Sequence, residues 1–390
     1  MSIEDVLSPA GAGPLFGVEE EFLVVDPVTR TVVPQAEEVL NPARAILGDR
    51  VSGEITKLQL ETRTSPCHSV EELLGQLIEA REALSSAAEA VGLRIMASGT
   101  PVLGQVVPPP ITEGPRQDRG NATFRGLHDD LAVCAVHVHV EVPDREQAVL
   151  VSNHLRPHLP AIIALTANSP YWAERDTGYA SWRTITWGRW PVAGPPPYFT
   201  SAAHYDELVE VMLEAGGLVD KGTIFWDIRP SMRYPTLEIR AADVPMTAEE
   251  SALLAALVRA LVASITPAVE RGDPGPVIPA EMMRLAYWRA ARDGLDGDGI
   301  DVHTGRPVPA AELAGRLLQA ARPALEEHGD LDLVTGWLRK LVDEGGGATR
   351  QRRAAMRQGG LAGVVDHLIA QSAPHAKQST TRYAAEPGCR

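Results

Sequence analysis

The stretch Gly17-Val18-Glu19-Glu20-Glu21-Phe22-Leu23-Val24-Val25 sets three consecutive acids inside an apolar run. In a strand, alternate side chains share a face, so Glu19 and Glu21 point one way with Gly17 and Leu23. Val18, Phe22 and Val24 point the other way and can pack. Glu20 falls among them, which predicts either a partner for it or a strand margin. Two like carboxylates ~5 Å apart repel by roughly 3 kcal/mol at an effective dielectric of ~20, a penalty that a divalent cation reverses. An acid pair on the polar face of a core-forming strand therefore reads as a cation site.

Three further stretches carry the same pattern. In Glu54-Ile55-Thr56-Lys57-Leu58-Gln59-Leu60-Glu61-Thr62-Arg63, Leu58 and Leu60 share one face, and Lys57, Gln59, Glu61 and Arg63 the other. Glu54 lies an odd number of residues before Glu61, so both reach one site only if the chain turns before the strand. Val136-His137-Val138-His139-Val140-Glu141-Val142 puts its valines on one face and His137, His139 and Glu141 on the other. Thr236-Leu237-Glu238-Ile239-Arg240 sets Glu238 and Arg240 opposite Leu237 and Ile239. For any one of these strands, a half-solvated sheet face is the ordinary explanation. Four together, rich in carboxylates with one imidazole, suit Mg²⁺ or Mn²⁺ better than zinc. His139 and Glu141 read as sheet-face residues. Arg240 beside Glu238 would let a metal ligand and a guanidinium grip one phosphate; a surface ion pair is the plainer alternative.

The bulk properties narrow the function. The chain has 390 residues, 44% apolar and 22% charged, and a net charge of −15. That charge argues against a nucleic-acid partner and against an anionic membrane surface. Cys67, Cys134 and Cys389 have no metal-type spacing and form no disulfide framework. The N-terminus lacks the segments of a signal peptide, and the longest apolar run, Ala252 to Ile265, is broken by Arg259 and short of a bilayer span. These features predict a cytoplasmic protein.

Along the chain, residues 1–14 read as a flexible lead and residues from 372 as a disordered tail. Ser69-Val70-Glu71-Glu72 opens a helix that Gly92 stops, and Thr247 with Glu250 opens another running to about Glu270. Residues 99–121, rich in Pro and Gly, read as an ordered loop. Residues 145–168 read as a helix that Pro157 and Pro160 split. The aromatic-rich 169–200 segment reads as a substrate-side loop. We expect one α+β catalytic domain over 15–271, with a helical C-terminal portion, 272–371, packed on it. Homo-oligomerisation is compatible with the sequence but not legible in it.

Gly17-Val18-Glu19-Glu20-Glu21 resembles the first strand of the carboxylate–amine ligases of the glutamate–cysteine ligase type 2 family. Ala135-Val136-His137-Val138-His139-Val140, Asn168-Ser169-Pro170 and Asp176-Thr177-Gly178-Tyr179-Ala180-Ser181-Trp182-Arg183 follow in family order. So do Trp187-Gly188-Arg189-Trp190-Pro191, Trp226-Asp227-Ile228-Arg229-Pro230-Ser231, Leu237-Glu238-Ile239-Arg240 and Gly347-Ala348-Thr349-Arg350-Gln351-Arg352. The resemblance covers roughly residues 15–371. It departs at Ala135, where the family usually has Gly, and in a shorter, Pro-rich 101–130 segment.

The resemblance implies a glutamine-synthetase-like fold, a curved antiparallel sheet forming a funnel for ATP and Mg²⁺, with helices on its outer face. It implies ATP-dependent amide-bond formation through an acyl phosphate, with weak glutamate–cysteine ligase activity. By position it makes Glu19, Glu21, Glu54, Glu61, His137 and Glu238 the metal ligands, and sets Arg240 on the transferring phosphate. Arg183, Arg189 and Arg229 are candidates to hold the substrate carboxylate or the nucleotide; each has a structural ion pair as its alternative. Arg350, with Arg352 and Arg353, could reach the phosphates or form a solvated face. Trp187, Trp190 and Trp226 read as packing, and Cys134 as a buried small side chain. The partners would be a small-molecule acid and an amine. Rival readings are a phosphagen-type kinase of related fold, a metal-dependent hydrolase and a non-catalytic binding descendant.

Overall fold

The computed structural model describes residues 13–104, 107–130, 132–357 and 359–372. The expected flexible lead, except Gly13 and Pro14, lies outside those residues, as do Cys389 and the expected tail beyond Ser372.

Seven strands make one antiparallel sheet: β1 (Phe16–Val25), β2 (Val51–Gly53), β3 (Gln59–Arg63), β4 (Arg94–Met96), β5 (Ala135–Glu141), β6 (Ile228–Pro230) and β7 (Thr236–Asp243). Their order is β6-β7-β5-β1-β3-β2, with β4 also paired to β1. The acid-bearing β1 is therefore central, hydrogen-bonded on both sides. The helices are α1 (Ala36–Leu47), α2 (Val70–Ala90), α3 (Pro115–Phe124), α4 (Arg145–Leu155), α5 (Leu159–Thr166), α6 (Trp182–Trp187) and α7 (Ala202–Glu214). After them come α8 (Ala248–Glu270), α9 (Ala280–Asp293), α10 (Ala310–His328), α11 (Leu331–Glu344), α12 (Gly347–Arg357) and α13 (Leu361–Ser372).

Alternation decides which sheet face is covered. Val18, Val136, Val138, Val140, Leu237 and Ile239 pack in one core with α4, α5, α8 and the C-terminal helices. Phe22, Val24, Leu58 and Leu60 pack in a second with residues of α1 and α2. Glu19, Glu21, Glu61, His137, His139, Glu238 and Arg240 of the same strands are thereby left on the opposite face, while Glu20 stays on the packed one. Among the described residues, α8 is the one helix long and apolar enough to cross a membrane, and its most apolar window is 67% buried in these cores.

Local signals place the helices. The Ser69 hydroxyl accepts the Glu72 N–H at the start of α2, and Thr247 does the same for Glu250 at α8. Pro157 and Pro160 split the 145–166 helix into α4, a short 3₁₀ turn and α5.

The structure differs from expectation in three places. Residues 99–121 are not all loop, because α3 begins at Pro115, a residue suited to a helix's first turn. The 169–200 segment contains α6, capped by Ser181. The C-terminal portion is not all helical: Asp298–Asp301 pairs with Arg306–Pro309 as a hairpin. Its turn is held by the Asp301 carboxylate, which accepts the His303 and Thr304 N–H groups, and by Gly305 at φ +70°. In four-residue strands containing Gly and Pro, that turn chemistry reads as a mere break in the helices.

Candidate active site

The strand register carries the polar residues into one place. Glu21 lies opposite Glu61 across β1 and β3, and Glu19 opposite His137 across β1 and β5. His139 pairs with Glu238 across β5 and β7, and Arg229 with Glu238 across β6 and β7. All of these residues, with Arg240, line one cavity of about 730 Å³. Donor atoms of Glu19, His137 and Glu238 lie within 4.8 Å of one another, as do those of Glu21, Glu61 and His137. His137 is common to both groups, so they adjoin.

The charges in this cavity are sharply sorted. Burial, then Glu54, pushes the Glu21 carboxyl up to about 8, against an opposing hydrogen bond from the Ala135 N–H at 2.7 Å. Burial and the neighbouring Glu54, Glu19 and Glu21 push Glu61 well above the usual carboxylate range. Burial also works to raise Glu19 and Glu238, but other groups win: the neighbouring imidazoles of His137 and His139 hold Glu19 low, and Arg240 and Arg229 hold Glu238 low. Burial, then Arg240, pulls His137 down to about 4, so its imidazole is neutral at pH 7.

These residues fit a divalent cation. His137 Nδ1 lies 3.3 Å from Glu19 Oε2 and 3.4 Å from Arg240 Nη1, and its Nε2 lies 3.8 Å from Glu21 Oε1. Nε2 of His137 and Nε2 of His139 are buried and without a protein partner. Buried ring nitrogens without hydrogen-bond partners, beside two carboxyls that burial first and neighbouring carboxylates second hold protonated, form an arrangement a bound cation satisfies. The donor set, mostly carboxylate oxygen with one imidazole, suits Mg²⁺ or Mn²⁺.

A family profile described as glutamate–cysteine ligase family 2 matches residues 15–367. The chain belongs to glutamate–cysteine ligase family 2. It is an ATP-dependent carbon–nitrogen ligase acting on small molecules. A Nocardia farcinica protein provisionally named glutamate–cysteine ligase 2-1 is 45% identical over 357 residues, covering 91% of this chain and 92% of its own. A protein of the same provisional name from Saccharopolyspora erythraea is 44% identical over 361 residues, covering 92% and 94%. Among solved structures, the glutamate–cysteine ligase of Francisella tularensis in complex with AMP superposes with a TM-score of 0.69 at 12% identity, covering 92% of this chain and 88% of that one. The bifunctional glutathione synthetase of Pasteurella multocida gives 0.69 at 14% identity, covering 93% and 53%. These likenesses show the fold: an α+β ligase fold whose curved antiparallel sheet forms a funnel, with helices outside.

In this family 2 ligase the remaining expected residues divide. Glu54 lines the cavity because the chain turns between β2 and β3, but it belongs to neither tight donor group. Arg183 lines the cavity from the first turn of α6, with Nη2 donated to the Arg240 carbonyl at 3.1 Å and Nε without a partner. Arg229 also reaches it, but it binds Glu238 at 2.9 Å and the Gly222 carbonyl at 3.0 Å, so it positions that acid. Two expectations need correction. Arg189 does not line this cavity: it is exposed beyond α6, and its Nε donates to Thr186 O at 3.2 Å. Arg350 does not line it either, because the packing of Ala348, Gln351 and Ala354 turns Arg350 toward Glu250, 2.7 Å away on α8.

Trp226 is core, as expected, whereas Trp187 and Trp190 are both packed and part of the cavity wall beside Phe124. Cys134 is buried against Gln59, and burial raises its thiol well above the usual range. Sequence reasoning passed over Arg63, which lines the cavity and was marked by sharing the Glu61 face, and the Arg116–Asp220 pair at the rim, which no local signal marks.

Proposed function

We propose that this protein spends ATP to convert a carboxylate, the γ-carboxylate of glutamate, into an acyl phosphate that an amine, cysteine's, then displaces to leave an amide. A carboxylate resists attack by an amine because oxide is a poor leaving group. Transfer of the γ-phosphoryl to the carboxylate oxygen releases ADP. Forming the C–N bond then breaks the C–O bond to phosphate. We propose further that glutamate–cysteine ligation is a weak activity of the site.

The observation that carries this reading is the convergence of Glu19, Glu21, Glu61, His137 and Glu238 with Arg240 in one cavity. Mg²⁺ or Mn²⁺ would be held by Glu19, His137 and Glu238, and by Glu21, Glu61 and His137, and would supply charge neutralisation for the nucleotide phosphates. Arg240 has a buried Nε without a protein partner, and offers its guanidinium to the phosphoryl oxygens as charge moves. Arg183, whose Nε is likewise unpartnered, grips the α-carboxylate of the acid. Phe124, Trp187 and Trp190 keep bulk water from an intermediate that hydrolyses readily. Residues 15–271 supply every one of these groups, and we assign them as the catalytic part, working in the cytoplasm, with 272–371 as support.

The test is phosphate release with amino acids offered singly and in pairs, with ATP and Mg²⁺. ADP and phosphate should appear together only when acid and amine are both present. Turnover without ATP, or a stable phosphorylated guanidine as product, would replace the reading with a hydrolase or a kinase.

A further inference from the structure

Behind the wall that Arg183, Trp187 and Trp190 present to the acid-lined cavity lies a second cavity of about 560 Å³, bordered by the same three residues. Its volume is that of a small-molecule pocket. At its inner end is Arg156, from the turn between α4 and α5, only 3% exposed. Arg156 Nε donates to the Pro196 carbonyl at 2.7 Å, but its Nη1 is buried and meets no acceptor. A buried, charged donor left unmatched is destabilising, and neither the fold nor the ligation reaction uses this one.

Asp227 lines the same cavity, 4% exposed and without an ion pair of its own among the described residues. Tyr287 of α9 lies between the two groups: its buried hydroxyl has no hydrogen-bond partner and is within electrostatic reach of both Asp227 and Arg156. Two buried guanidiniums, Arg156 and Arg183, and one buried carboxylate, Asp227, line the pocket, and a zwitterion meets both signs of charge. A phosphate or simple carboxylate would satisfy Arg156 but leave Asp227 without a cationic group from the ligand. Arg284 on the cavity lining gives an anionic group a favourable approach on a chain whose net charge is −15.

We propose that this second cavity binds a free α-amino acid, its carboxylate on Arg156 and its amino group on Asp227. The site is separate from the acid-lined cavity, and Arg183, which borders both, is the residue through which the two would sense each other. The proposal does not rest on the ligase chemistry, and it covers an amino acid that is also a substrate as well as one that only regulates.

The experiment measures the melting temperature and equilibrium binding of the full chain, without nucleotide, against each of the twenty free L-amino acids. At least one should bind, and its N-acetyl and α-amide derivatives should bind at least tenfold more weakly. Arg156→Gln should abolish the binding, and Glu21→Gln, in the other cavity, should leave it intact. If Arg156→Gln does not fold, Asp227→Asn, nearly the same in shape, supplies the same readout. The proposal is overturned if no amino acid binds, if every amino acid that binds does so equally well after loss of Arg156 or of Asp227, or if Glu21→Gln abolishes the Arg156-dependent binding. A bound amino acid consumed with ATP is a substrate, and one left unchanged is an effector; both support the site.

Discussion

Glu20 turns away from the two carboxylates that flank it in sequence and is clasped by Arg81 of α2, Nε to Oε2 at 3.0 Å, with both side chains at most 1% exposed. The Ser251 hydroxyl donates to the same carboxylate. The remaining Arg81 N–H groups go to the carbonyls of Pro245, Met246 and Ser372. One guanidinium thus ties the central strand to the start of α8 and the end of α13. Ser372, expected at the head of a disordered tail, is instead buried, and its hydroxyl accepts the Ala97 N–H at 2.7 Å.

Arg81→Met should therefore destabilise the protein by about 3–5 kcal/mol, because it strands a buried carboxylate. Urea denaturation measures this. A loss below about 1 kcal/mol would mean that Glu20 finds other compensation.

Glu21→Gln removes the ligand charge while keeping its size. ADP release should fall by about a hundredfold or more, with the circular dichroism unchanged. Unaltered turnover would remove Glu21 from the site.

Arg240→Lys keeps the charge but loses the planar fork that reaches Glu238 and, at 3.4 Å, His137 Nδ1. The loss should appear in kcat more than in the KM for ATP. A kcat near that of the parent would place the transferring phosphate elsewhere.

The raised acids set a pH dependence. Glu21 ionises at about 8 in the fold against an ordinary 4.5, and Glu61 shifts in the same direction. The folded state then holds protons that the unfolded chain releases. Their contribution to stability is full below about pH 4.5 and is lost as the pH rises through 8. The melting temperature of the metal-free protein should fall across that window, and Mg²⁺ should raise it more at pH 8 than at pH 5.5. Glu19 and Glu238, held low, act oppositely, and their contribution is lost progressively as the pH falls below about 4.5. A Mg²⁺ effect independent of pH would exclude Glu21 and Glu61 as ligands.

Arg350→Ala breaks the pair with Glu250, 11% and 15% exposed, and should lower stability by about 1 kcal/mol while leaving the KM for ATP unchanged. A marked rise in that KM would return Arg350 to the nucleotide.

Much of the site was legible because the strand period is local. Val136 to Val142 divides into a packed and a polar face whatever lies beside it, and the alternation of Gly17 to Phe22 separates Glu19 and Glu21 from Val18 and Phe22. The two caps, Ser69 and Thr247, were legible for the same reason. Contacts distant in sequence were not. That Arg81 answers Glu20, that Glu54 is turned back to face Glu21 and Glu61, and that Arg350 is spoken for by Glu250 all depend on packing that no local pattern encodes. Motif position alone suggested Arg189, and the packing of α6 turns it from the acid-lined cavity onto the lining of the second one.

The central placement of β1 has a mechanical consequence. Paired along both edges, the strand bearing Glu19 and Glu21 cannot shift without breaking the whole sheet. Its amides should be among the slowest to exchange with deuterium. The breathing that admits a nucleotide must then occur at the mouth, where Met232 and Tyr234 stand more than half exposed and Arg116 reaches across to Asp220.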